Sequence, residues 1–189
     1  MKDAIRVVIL GQTLMVICCA FYLIWWYRGF RPGVGLKRVS GINGVLLLIT
    51  AIFGISGIAF SLQRIPEAVE ARWDSMKIAV LGIVIYIVLL IITKYAFHRI
   101  VTSELILIVG WTTLELVILN RLYAAASLTE KGYIALCTVI TAAFLISIVL
   151  YVAYYRMEEM MAFYAAMVPL VTEGLAMGAI IGTVLSETK

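Results

Sequence analysis

The chain has 189 residues, of which 64% are hydrophobic and only 14% are charged, and its formal net charge is +4. An average soluble domain carries about 25% charged residues, so this composition excludes a soluble enzyme, a disordered tail and a nucleic-acid-binding domain. The basic residues concentrate at the ends of apolar runs, where membrane proteins carry them, and no nucleic-acid partner is expected. The composition predicts an all-α integral membrane protein built almost entirely within the lipid bilayer.

Charged residues interrupt the sequence at intervals close to the ~20 apolar residues that a helix needs to cross the hydrocarbon core. The apolar runs do not alternate with polar residues, which argues against the strands of a membrane barrel. The sequence therefore predicts one transmembrane domain over residues 1–189, a polytopic bundle of six helices with short loops. The predicted spans are residues 5–27, 41–62, 76–95, 103–122, 132–155 and 160–185.

The first span ends in aromatic and basic residues, a pattern typical of membrane-interface anchors. Basic residues continue through the connection at 28–40, which contains no acid. This loop favours the cytoplasmic side of a plasma or inner membrane and places both termini outside, although Lys and Arg are divided almost equally between the two sides. The predicted anchors are Trp25, Trp26, Arg28, Arg31, Lys37 and Arg38. The next connection, residues 64–76, predicts a short interfacial helix from Pro66, or alternatively a lid over an external vestibule.

Two acids, Glu115 and Glu173, fall near the middle of apolar runs. An ionised carboxylate at that depth costs roughly 2.5–3.5 kcal/mol on insertion scales, so each must be protonated, paired or in contact with water. Intramembrane acids are functional candidates, and both are predicted to bind an ion or solute. The alternative is a protonated glutamate that bonds to a neighbouring helix and stabilises the bundle. Pro169, four residues before Glu173, predicts a kink that frees a backbone carbonyl nearby.

Further polar side chains could join the two acids in one interior cluster. Thr112 lies one turn from Glu115, and Gln12 lies inside the first span. Asn43 and Thr50 belong to a small and polar face of the second span, which predicts that this face meets protein or a cavity rather than lipid. Thr138 and Thr141 in the fifth span are also predicted to be buried and could join this cluster.

Glycines mark two helix faces suited to close packing. The second span carries Gly54 and Gly57, and the sixth carries Gly174, Gly178 and Gly182 at intervals of four residues. The second set favours an intramolecular contact over a dimer interface, although the spacing alone fits both.

The two carboxylates favour a small transporter or channel that moves a small solute, cation or proton between helices. The alternative is a structural or accessory subunit of a larger membrane complex, or a homo-oligomer, packed through the glycine faces. An enzyme is the third possibility. Gly54–Gly57 has the GxSG form of the rhomboid protease nucleophile, but that chemistry needs a histidine base, and the only histidine, His98, lies in a loop. No cofactor, metal or catalytic residue is predicted.

Overall fold

The structure is a computed structural model that describes residues 2–33, 41–63, 74–96, 103–154 and 156–187. Seven α-helices account for nearly all of them, and no strand occurs in these ranges. The helices are α1 (Lys2–Phe30), α2 (Gly41–Gln63), α3 (Ser75–Ile91), α4 (Ser103–Ala124), α5 (Glu130–Tyr154), α6 (Glu159–Ala165) and α7 (Val168–Glu187), and a π-helical turn (Ile92–Ala96) extends α3.

Six helical stretches are long and apolar enough to cross a membrane, which confirms the predicted number. They are Ile5–Phe30, Gly41–Leu62, Ser75–Tyr95, Glu104–Ala124, Glu130–Tyr154 and Glu159–Glu187. Most bounds agree with the predicted spans to within two or three residues. The interfacial helix or lid predicted over residues 64–76 lies mostly outside the described residues, of which Asp74 is the first to follow. Its side chain caps α3 by accepting a hydrogen bond from the Met76 amide at 2.9 Å.

The sixth stretch is two helices rather than one. Pro169 has no N–H, so the carbonyl of Ala165 loses its helical donor, and α6 ends at that residue. The Ala166 and Met167 amides close the turn on the carbonyls of Ala162 and Tyr164, both at 3.0 Å. The kink predicted at Pro169 is thus a break of the helix just before it.

Neighbouring helices pack antiparallel, except that α4 and α7 run in the same direction. Helix α1 packs against α2 and α7, α4 packs against α3 and α5 and more lightly against α7, and α5 packs against α7. The bundle therefore has two ends. One end contains the start of α4 and the last residues of α1 and α5, and we call it the Glu104 end. The opposite end, with the last turn of α4 and the starts of α1 and α5, is named the Leu122 end.

Glycines bring α1 and α2 together near the Leu122 end. A Cβ placed on Gly57 would overlap Met15 Cγ and lie 2.9 Å from the Gly11 carbonyl oxygen. A Cβ on Gly54 would lie 3.1 Å from Cys18 Sγ. The two backbones can approach this closely only because no side chain stands between them, and Gly11 was not identified from the sequence.

The Leu122 end is closed by apolar packing. Side chains from α1, α4, α5, α7 and the connection before α5 form one cluster, and each is at most 5% exposed: Val8, Ile118, Leu119, Leu122, Leu128, Leu136, Ile140, Ala176, Ile180 and Val184. The Glu187 carboxylate ties the end of α7 to the connection before α5, accepting hydrogen bonds from Thr129 N at 2.6 Å and Thr129 Oγ1 at 2.8 Å. The interior at the Leu122 end is therefore mainly apolar.

Candidate functional site: a buried carboxyl pair

The structure brings Glu115 of α4 and Glu173 of α7 together inside the bundle. Glu115 is 0% exposed and Glu173 is 1% exposed, and the two carboxyl groups interact electrostatically. They meet because α4 and α7 run in the same direction, from the Glu104 end to the Leu122 end. Glu115 lies near the middle of α4, and Glu173 lies near the middle of the stretch Glu159–Glu187 that α6 and α7 form. The sequence placed both acids near mid-span but did not indicate that they meet.

Side chains from α1 and α4 complete the surroundings of the pair. Thr112 Oγ1 donates to the Ile108 carbonyl at 2.9 Å and lies 3.5 Å from Glu173 Oε1. The Gln12 amide, fully buried, borders the Glu115 carboxyl group without closing a hydrogen bond to it. The Cys19 thiol of α1 lies close to both carboxyl groups. Three helices, α1, α4 and α7, therefore contribute to one buried polar cluster.

Most polar atoms of this cluster have no hydrogen-bond partner among the described residues. These atoms are both carboxyl oxygens of Glu115, Oε2 of Glu173, and both Oε1 and Nε2 of Gln12. No described basic side chain contacts either carboxyl group, and Arg121, the basic residue of α4, is instead directed to Ser75 and the Leu62 carbonyl, at 3.5 Å each. Buried polar groups are nearly always paired, so this cluster has the capacity to take up protons, water or a cation.

Small cavities connect the cluster to the Glu104 end. A cavity of about 30 Å³ is lined by Glu104, Trp111, Pro169 and Glu173, and a second of about 70 Å³ is lined by Glu104, Tyr151 and Pro169. The volume of the first suffices for water but not for an organic solute. Glu104 Oε2 is itself buried and has no hydrogen-bond partner within the described ranges. Carboxyl groups therefore stand at both ends of a water-sized space.

Glu104 was missed by the sequence analysis because it lies just before the apolar run of α4 rather than inside it. A signal was present, however. Glu104, Ile108, Trp111 and Glu115 recur at intervals of four, three and four residues, which places them along one face of a helix. Cys19 was missed for a different reason, since a thiol in an apolar run has no pattern that distinguishes it from packing.

A larger groove runs between α2 and α4 on the side of the bundle. Its walls include Leu47, Thr50 and Gly54 of α2 and Gly110 of α4, and its floor includes Cys19 of α1. The groove encloses about 580 Å³ and is almost wholly apolar. The Thr50 hydroxyl donates to the Leu46 carbonyl of its own helix at 2.8 Å. Thr50 therefore lines this groove and is not a neighbour of the carboxyl pair.

Other polar candidates also lie elsewhere. Asn43 lies near the start of α2, where its Oδ1 accepts a hydrogen bond from Arg28 Nε at 3.4 Å. Thr138 and Thr141 are exposed and donate to carbonyls of their own helix at 2.9 and 2.8 Å. The prediction that these two threonines are buried was wrong, because they lie on the outer face of α5. The buried polar contact of α5 is Ser147, whose hydroxyl lies 3.3 Å from Thr172 Oγ1.

The predicted glycine face of α7 is only partly used inside the chain. A Cβ on Gly174 would lie 3.9 Å from Cys19 Cβ, whereas Gly178 and Gly182 face open space within the described structure. The intramolecular contact favoured for this face is therefore absent at Gly178 and Gly182 among the described residues.

The predicted interface anchors lie at the Glu104 end. Trp26 stacks on Phe30 at 4.3 Å and packs against Phe163 of α6 at 6.4 Å between ring centroids. Trp25 packs edge-on against Phe30 at 5.2 Å. Arg28 and Arg31 are exposed, and Lys37 and Arg38 lie outside the described residues.

Comparison of the chain with known proteins shows no match to a protein-family model, to a curated protein or to a solved structure.

Proposed function

We propose that the chain is a small integral membrane transporter or channel that takes up a proton or small cation at Glu115 and Glu173. The observation that carries this proposal is that three of the four carboxyl oxygens, both of Glu115 and Oε2 of Glu173, are buried without a hydrogen-bond partner, and that no basic side chain among the described residues neutralises the pair. A carboxyl pair kept only for helix packing would be expected to satisfy its oxygens with neighbouring donors.

The outer surface supports insertion into a bilayer. Helix α3 buries only Gly82, and large apolar side chains such as Val80, Ile83, Ile87 and Ile91 are 47–60% exposed. A water-soluble monomer rarely exposes an apolar surface of this extent, whereas lipid tails would cover it. Arg28 and Arg31 place two exposed positive charges at the Glu104 end, so the proposed orientation puts this end in the cytoplasm.

Each member of the cluster has a distinct proposed role. Glu173 lines the cavity that leads to Glu104 and is the first acceptor for a proton or cation arriving from that end. Glu115 is the second acceptor, Thr112 positions the Glu173 carboxyl group, and Gln12 borders Glu115. Transport across the whole membrane then requires the apolar cluster at the Leu122 end to separate transiently, as in alternating access.

The test is flux through the purified chain in liposomes. Proton influx driven by a potassium diffusion potential is followed with a trapped pH-sensitive dye, and sodium and potassium fluxes are followed with tracer ions. Because each carboxylate is proposed to bind the ion, Glu115→Gln and Glu173→Gln should each lower the flux about tenfold or more. Glu158→Gln is the matched control, since Glu158 is exposed and its side chain makes no capping hydrogen bond. Wild-type flux in both buried variants would contradict the proposal.

A structural or accessory subunit is the second candidate, and the open glycine face favours it. Gly178 and Gly182 lie one helical turn apart, exposed and without neighbours in the described structure. Such a face allows another helix to approach closely, from a second copy or from a different membrane subunit. The mass of the native particle after mild extraction distinguishes the two functions. Foreign subunits in fixed ratio would support the accessory role, and a particle of this chain alone would support an autonomous transporter.

A further inference from the structure

Two separate openings approach the carboxyl pair, and they differ in size and polarity. The cavity between Glu104 and Glu173 has room only for water. The groove between α2 and α4 encloses about 580 Å³, within the range of roughly 300–1,000 Å³ found for pockets that hold drug-sized ligands. One opening is suited to protons and the other to an organic molecule.

The two openings share a wall. Tyr22, Trp111 and Leu170 line both the small cavity and the groove, so only a layer of side chains separates them. Cys19 also lines the groove and lies close to both carboxyl groups on its inner side. The floor of the groove is thus one side chain away from Glu115 and Glu173.

Charge and shape together indicate what would occupy the groove. Its walls are apolar, which suits a hydrophobic molecule that arrives sideways from the lipid, and they carry the rings of Tyr22 and Trp111, which attract cations. Behind its floor lie two carboxyl groups that no described basic residue contacts. In a region of low dielectric, the attraction of an ionised carboxylate for a positive charge persists across one intervening side chain, so a cation in the groove would favour release of a proton from the pair.

We infer that the groove between α2 and α4 binds a lipophilic organic cation, which enters from the membrane and is held by the negative charge that forms when Glu115 or Glu173 releases a proton. This inference rests on the proposed uptake of cations or protons by the pair and names the substrate class. Protons that reach Glu173 through the small cavity would compete with the organic cation for the same negative charge, which provides a basis for exchange of one for the other.

The test uses tetraphenylphosphonium and equilibrium dialysis against the purified full-length chain in detergent. We expect saturable binding that weakens about tenfold or more in Glu115→Gln and in Glu173→Gln, because the attracting charge is lost. Tetraphenylborate, an anion of nearly the same shape, should show no saturable binding. Similar binding of both ions, or equal tetraphenylphosphonium binding in the wild type and the glutamine variants, would overturn the inference.

A glycine variant tests the position of the site independently of the acids. Gly110 lines the groove, and a Cβ there would meet no atom within 4 Å, so Gly110→Leu should fold while filling the space. It should weaken tetraphenylphosphonium binding about tenfold, whereas Gly44→Leu, at an equally open position outside the groove, should not. Unchanged binding in Gly110→Leu would overturn the assignment to this groove.

The two proposals fail in distinguishable ways. Glutamate-dependent proton or inorganic cation flux without tetraphenylphosphonium binding would overturn this inference and leave the proposed function intact. Glutamate-dependent binding without any flux of inorganic ions would support the groove as a cation site and contradict a channel.

Discussion

The interior of the bundle differs in polarity and packing between its two ends, although the same helices form both. Toward the Glu104 end, water-sized cavities lie between Glu104, Pro169 and Glu173. Toward the Leu122 end, ten buried apolar side chains form one cluster. The interior faces of these helices therefore become more apolar toward the Leu122 end. The carboxyl pair lies between the cavities and the apolar cluster. Among the described residues, the small cavity that borders Glu173 therefore lies on the Glu104 side of the pair.

The largest expected effect on stability comes from creating a cavity in the apolar cluster at the Leu122 end. Leu119→Ala removes a side chain that is 0% exposed within the apolar cluster, and it should lower the free energy of unfolding by about 2–5 kcal/mol. Leu107→Ala, in the same helix but 42% exposed and beside the small cavity, should cost about 1 kcal/mol or less. Unfolding of the purified variants in mixed micelles with increasing denaturing detergent measures both. Equal losses would show that the two ends do not differ in packing.

An intermediate effect is expected for chemical access to the interior. In a background with alanine at positions 18, 19 and 137, Ala166→Cys would line the two small cavities and Ala176→Cys would lie in the closed cluster. A small charged thiol reagent should modify position 166 about tenfold faster or more, because the thiol must meet water to react. Adding the reagent from one side of sealed vesicles at a time also determines the orientation. Faster reaction at position 176 would contradict the conclusion that the Glu104 end is the more accessible to water.

The smallest expected effect on stability concerns the exposed hydrogen bonds between Thr129 and Glu187 at the Leu122 end. Glu187→Ala removes the acceptor for both Thr129 hydrogen bonds and should lower stability by about 0.5–1.5 kcal/mol. Glu158→Ala, at the Glu104 end, removes no capping hydrogen bond and should be neutral. The unfolding measurement in mixed micelles applies to this pair as well. A Glu187→Ala variant as stable as Glu158→Ala would mean that apolar packing alone closes this end.

The sequence predicted the helices well because their cause is local. Lipid-compatible helices need long apolar runs, and charges marked the ends of those runs to within a few residues. The break before Pro169 was also foreseeable in kind, since proline removes a helical hydrogen bond wherever it occurs. Only its position, ahead of the proline, came from the structure.

The site was predictable only in part because its geometry depends on which helices become neighbours. Glu115 and Glu173 were recognisable as buried acids from their own surroundings in the sequence. Gln12 and Thr112 lie near the two acids, whereas Asn43 and Thr50 do not. This difference depends on how α1, α2, α4 and α7 are arranged, which no local sequence pattern encodes. The same limit explains Thr138 and Thr141, since helix α5 has apolar residues on all sides and its sequence does not reveal which side is covered.

The polar cluster contains residues from the first and the last helices, so it cannot be completed until almost the whole chain has been synthesised. Gln12 lies in the first helix and Glu173 in the last, 161 positions later by their numbers (173 − 12). A ribosome adding about 5–20 residues per second needs roughly 8–32 s to make that length. During this interval the growing chain holds Gln12, and then Glu115, without the helix that completes their surroundings. If the chain inserts into a bilayer as proposed, α1 and α4 would hold these polar groups unburied until α7 arrives, and a chaperone or premature pairing between chains could act at this step.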